Sequence, residues 1–174
     1  MHPGAEIATL VKRLGSAPGV EEQDAAWSEL RPYGPAVLPF LLSELQSTRK
    51  WQGRCAIICF ALKFARTESL AVALARAALY DKSRWVRYRA CELLACALSR
   101  ESIVDLKNLL HHSDQNTVAD ARAAIDAIQS KNHNFFIDRQ HSGRVFLNFD
   151  GSPLHPISQS GAPPNTSLER TRER

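Results

Sequence analysis

Apolar residues return at three- and four-residue steps along most of this chain. The clearest case is 81–98. There Val86, Ala90, Leu93, Leu94, Ala97 and Leu98 fall on one face of a helix. Asp81 and Ser83 stand just before it, where a side-chain oxygen can accept from the unpaired N–H groups of a first helical turn. The same rhythm predicts helix pairs at 5–14 with 21–30, 35–46 with 50–65, 68–80 with 83–99, and 101–111 with 115–130. Breakers separate them. Gly15 to Gly19 makes the first turn, and Pro32 and Pro35 end the second helix because proline cannot continue the hydrogen-bond ladder. Glu21, Glu22 and Asp24 suit the positive start of that second helix.

The second helix of each pair repeats. Trp51 aligns with Trp85 and Ala56 with Ala90 at an offset of 34. Ala121 aligns with Ala90 and Ile125 with Leu94 at an offset of 31, and 21–31 is a weaker copy. A period of this size points to stacked helix pairs, because one pair alone cannot bury its apolar faces. The pattern changes after 133. Phe135, Phe136, Ile137, Val145, Phe146 and Leu147 surround a Gly143 turn, which predicts strands at 135–138 and 144–148 of a short β-hairpin capping the last pair. From Gly151 the chain is rich in Pro, Ser and charge, and 151–174 is expected to be disordered. The organisation expected is 1–133 helical repeats, 134–150 hairpin cap, 151–174 tail.

The phrase Asp81, Val86, Arg87, Ala90, Leu93, Leu94 resembles the second helix of a HEAT repeat. The Leu38-Pro39-Phe40-Leu41-Leu42 helix resembles a first one. The resemblance covers about 5–131 and implies an all-α fold, a right-handed α-solenoid of about four helix pairs, with no particular chemistry attached. Two departures stand out. Trp51 and Trp85 are larger than the residue usual there, and Arg87 has no clear counterpart near Gly53 or after Val118.

Composition fits one helical domain: 174 residues, 44% hydrophobic. No apolar run is long enough for a membrane span, and no long apolar region follows Met1, so neither a membrane anchor nor a secretory signal is expected. Four cysteines inside predicted helices suggest free buried thiols and a reducing, cytoplasmic setting.

Charge is the strongest functional hint. Residues 1–48 carry a net −3, 49–100 a net +8, and 101–174 a net −1. Arg49, Lys50, Arg54, Lys82, Arg84, Arg87 and Arg89 crowd the starts of two successive second helices, with Trp51 and Trp85 among them. In HEAT-like proteins second helices line the concave side. Trp51, Arg54, Arg84, Trp85, Arg87 and Tyr88 are therefore the candidate partner-binding residues of a non-enzymatic, monomeric scaffold. Arginine and tryptophan suit an acidic protein segment, and the same mixture suits nucleic acid. A solvated helix edge is the plain alternative. Should Arg87 pack inward onto the Asp81 turn, the patch shrinks and its role is structural.

Other chemistries find less support. Cys91 and Cys96 are five apart, a poor zinc spacing beside Cys55 and Cys59. His111 and His112 suit a helix C-terminus, with Asp114 capping the next helix. The 138–149 loop has an acid first and Gly143 sixth like an EF-hand, but Phe149 replaces the terminal glutamate. Some HEAT-like solenoids are DNA glycosylases using an Asp; four residues after Trp51 and Trp85 come Cys55 and Arg89. No phosphate loop or nucleophile motif occurs, so no enzyme, cofactor or metal is expected.

Overall fold

The computed structural model describes residues 3–147, and over them the protein is all-α. The helices are α1 (Pro3–Ser16), α2 (Val20–Leu30), α3 (Leu38–Ser47), α4 (Trp51–Leu62), α5 (Ser69–Ala78), α6 (Arg84–Ala97), α7 (Ile103–Asn108) and α8 (Gln115–Gln129). Each lies where the apolar rhythm puts it. The proline-rich join at 31–37 folds as a 3-10 segment that reverses at Gly34, whose φ of 54° and ψ of −140° favour a residue without Cβ. Asp114 caps α8 by accepting from Asn116 N–H, whereas the α6 N-cap, Ser83, makes no side-chain cap bond and Asp81 accepts from Ser83 N–H at 2.7 Å in the turn before it.

The helices α4, α6 and α8 lie side by side in one row. In front of them α3 packs beside α5, and each of α3, α5 and α7 packs on the helix that follows it. The central pair is buried on every side. Gly53 to Ala61 of α4 and Val86 to Cys96 of α6 are all buried, Arg54, Arg87, Arg89 and Glu92 included. The one-sided amphipathic reading of α6 is thus corrected: its polar residues also face protein. A helix closed in all round needs every polar group paired internally.

The first pair departs from the expected order. The helix flanking α4 is α1, which packs on both α3 and α4, whereas α2 rests mainly on α1. Gly53 explains the closeness. A Cβ there would lie 1.8 Å from the Gly15 carbonyl oxygen, so the end of α1 meets the start of α4 backbone to backbone. From α2 only Ala26, Trp27 and Leu30 are buried, with the Trp27 ring edge-on to Phe60 at 4.8 Å.

The expected hairpin is not formed among the described residues. His133–Phe136 is a 3-10 turn where the first strand was expected, and 144–147 forms no strand; Asn148 and the 151–174 tail lie outside the described residues. The reason is turn chemistry. Asn132 accepts from Asn134 N–H, and Asp138 accepts from Ser142 and Gly143 N–H, each holding the backbone in a local turn. The turn packs on α6 and α8, with Phe136 fully buried 5.3 Å from the Tyr88 ring.

Candidate functional site

The six candidate residues divide into two groups. Arg54, Arg87 and Tyr88 are turned inward, at 6%, 6% and 5% exposure. Arg54 donates from Nε and Nη2 to Asp81 at 2.6 and 2.9 Å, and from Nη1 to the Thr48 and Arg49 carbonyls. Arg87 donates from Nε to Thr117 Oγ1 at 2.9 Å, from Nη1 to the Asp81 carbonyl at 2.7 Å, and from Nη2 to Asp114 at 3.0 Å. Each arginine ties its own inter-helix turn to the acid that opens the next one. Forked guanidinium donors fit that task where a lysine would not.

This ladder corrects the reading that Arg87 lacks a counterpart. Arg54 and Arg87 are 33 residues apart, as are Asp81 and Asp114. An alignment anchored on the tryptophans, 34 apart, steps past the match. The ladder also stops visibly. Thirty-three residues after Arg87 stands Asp120, and its partner is Arg139 of the C-terminal segment at 2.6 Å. The sign of the pair is reversed there. Burial raises the Asp120 carboxyl above its ordinary value despite Arg139. Asp114 behaves oppositely: burial opposes its charge, but hydrogen bonds from Thr117, Asn116 and Arg87 overcome that and bring it down to about 2.

Arg89, counted above as part of the basic patch, is 4% exposed and pairs with Glu92 at 2.6 Å inside the α4–α6 contact. Tyr88 lies beneath Phe136. Three of the seven clustered cations therefore serve the interior, and the net +8 of that stretch overstates its surface charge.

Trp51, Arg84 and Trp85 stay half-exposed. The two indoles, from the first turns of α4 and α6, stack with centroids 6.5 Å apart and planes 27° apart. The Arg84 guanidinium lies over the Trp85 ring at 4.4 Å. Its Nε is buried without a hydrogen-bond partner in the structure; among the described residues no carboxylate makes a direct ion pair with Arg84, whose charge is felt by the Asp120 carboxyl. Exposed Arg49, Lys50 and Lys82 lie in the adjoining turns. What remains is a ledge of two flat apolar rings, one guanidinium without a direct ion pair, and cations in the adjoining turns. Chemically it can take an aromatic or aliphatic side chain on the rings and a carboxylate on the cation.

The remaining candidates are structural. All four cysteines are buried and free, and burial raises every thiol, Cys59 to about 12, which keeps them protonated and unreactive at neutral pH. No cluster of metal-ligating side chains occurs among the described residues. His112 Nδ1 accepts from Asp114 N–H beside the α8 cap. The Asp138 carboxylate, first in the EF-hand-like loop, accepts from Ser142 and Gly143 N–H and from the Ser142 hydroxyl, so it closes its own loop. No described helix is long and apolar enough to cross a membrane. No family model, curated protein or solved structure matches this chain.

Proposed function

We propose that this chain is a HEAT-like, right-handed α-solenoid acting as a non-enzymatic scaffold, which binds an acidic segment of a partner protein across the Trp51–Trp85 ledge. The observation that carries this is the stacked indole pair with Arg84 above it. Two large rings left half-exposed on an otherwise well-buried helix row are an anchor of the kind that dominates protein interfaces, where Trp and Arg contribute most. The solenoid reading draws support from the α4–α6–α8 row and from arginine–aspartate links that recur at one spacing. Free buried thiols support a reducing, cytoplasmic setting; the scaffold is read as a monomer.

Relative to the six-residue surface expected from sequence, the proposed surface is smaller: Trp51, Arg84 and Trp85, with exposed Lys50 as rim. Arg54, Arg87 and Tyr88 hold it from beneath. The test is retention of a protein from nuclease-treated native lysate on wild-type and Trp51→Ala/Trp85→Ala columns. Truncating two such anchors is expected to weaken retention by about 2 kcal/mol or more, roughly thirtyfold. Equal retention on both columns, with the variant folded, refutes the ledge. Loss of all binding after nuclease would transfer the surface to nucleic acid.

A further inference from the structure

The turns before α4 and α6 also line a second surface, to which neither tryptophan contributes. A cleft of about 660 Å³ opens between the α3–α4 and α5–α6 turns. One wall is Gln46 to Arg49, the other Ala77, Tyr80 and Lys82, with Arg54 and Asp81 at the base. Its charge is lopsided. Asp81 is the sole acid lining it, and that carboxylate already holds Arg54 and Ser83 N–H. Arg49 and Lys82 are exposed and have no carboxylate partner among the described residues. Tyr80 turns a ring that is 61% exposed into the same space.

The repeat spacing separates this chemistry from ordinary turn composition. Arg49 and Lys82 are 33 apart, and the next position on is Gln115. Tyr80 is matched by Ser47 before it and Ser113 after it. The ladder that builds the turns recurs, but the pair of free cations facing one exposed aromatic occurs between these two turns and is absent between the following two. Nothing in the ladder needs it: Arg54 bonds the Arg49 carbonyl, not its side chain.

We infer that this cleft is a separate docking site for an acidic linear peptide, with carboxylates on Arg49 and Lys82 and an apolar side chain against Tyr80. Charge complementarity selects the occupant. Two unpaired cations over a paired Arg54–Asp81 base leave a net positive slot, and the exposed phenol ring supplies apolar surface that a simple anion would not use. None of Trp51, Arg84 and Trp85 lines the cleft, so this site does not rest on the tryptophan ledge.

The test is amide-shift mapping of the full 15N-labelled chain titrated with a six-residue peptide of alternating glutamate and leucine. A lysine–leucine peptide and a thymidine oligonucleotide serve as comparisons. The expected result is saturable shifts confined to 45–50 and 77–83 with the glutamate peptide. Arg49→Gln/Lys82→Gln should weaken binding at least about tenfold, Tyr80→Ala should weaken it severalfold, and Trp51→Ala/Trp85→Ala should leave it unchanged. Arg49, Lys82 and Tyr80 are exposed, so circular dichroism of their variants should match wild type; the tryptophans pack partly on the core, so their variant is compared only once circular dichroism shows it folded. Absence of saturable shifts overturns the inference, as does equal binding to the glutamine double variant. The lysine peptide or the oligonucleotide shifting the same amides more strongly also overturns it. Shifts that vanish in the tryptophan variant would merge the two surfaces and refute their independence.

Discussion

Replacing Arg87 by Met tests the ladder on which the stacking depends. The substitution keeps most of the buried stem and removes the guanidinium. Three bonds disappear: to Thr117 Oγ1, the Asp81 carbonyl and Asp114. Thr117 keeps its bond to Asp114 at 2.8 Å, so its hydroxyl is not orphaned. Asp114 keeps Asn116 N–H and its side chain is 25% exposed, so water can reach it. The Asp81 carbonyl loses the Arg87 guanidinium. Removing one partner of a buried ion pair typically costs about 3–5 kcal/mol, and the remaining donors on Asp114 put this case at the low end, about 3 kcal/mol. With a urea slope of about 2 kcal/mol/M, the unfolding midpoint should fall by about 1.5 M. Urea titration followed by far-ultraviolet circular dichroism reads this directly. The cycle with Asp114→Asn should give a coupling well above 0.5 kcal/mol. A loss under about 1 kcal/mol, or additive single and double variants, would mean that apolar contacts alone set the stacking. The exposed Arg13–Glu29 pair is the control: Arg13→Ala should leave the midpoint in place.

Three other expectations follow from the geometry. Gly53→Ala forces a methyl onto the Gly15 carbonyl and should cost about 2–3 kcal/mol by thermal or urea unfolding, with α1 loosened first in amide exchange. Because Asp114 titrates lower in the folded chain, at about 2, than when unfolded, its stabilisation is complete above about pH 4 and is lost as pH falls towards 2. Asp114→Asn should flatten that acid limb; an unchanged slope would dismiss the assignment, Asp120 acting in the opposite sense. A disulfide thiol reagent should find four thiols unreactive in the native protein and all four reactive once it is unfolded.

The helix positions were legible because they rest on apolar periodicity, and the proline and glycine breaks gave the turns. Burial of charge was not legible in the same way. A count of arginines cannot distinguish a solvated Arg49 from an Arg54 locked onto Asp81. The signal existed, though, in two parallel 33-residue spacings, Arg54 to Arg87 and Asp81 to Asp114. It was hidden by anchoring the alignment on Trp51 and Trp85, whose spacing differs by one. The place of α1 beside α4 rests on the backbone contact of Gly15 with Gly53, a tertiary fact with no local pattern. At 133–147 the aromatic and branched residues suggested strands, yet Asn132 and Asp138 bind nearby N–H groups and take the backbone out of extended form. Of the candidate site, the tryptophan pair and Arg84 survive as surface; the rest of it became the scaffold beneath.

Oxidative footprinting of the protein in its lysate complex tests the central claim most directly, because the chain carries its own reference. Trp27 is 4% exposed and should stay unmodified in both states. Trp51 and Trp85 are half-exposed and should oxidise in the free protein. The account predicts that partner binding protects both by a similar factor, with Trp27 silent. Undiminished oxidation of Trp51 and Trp85 while the partner is bound would contradict it.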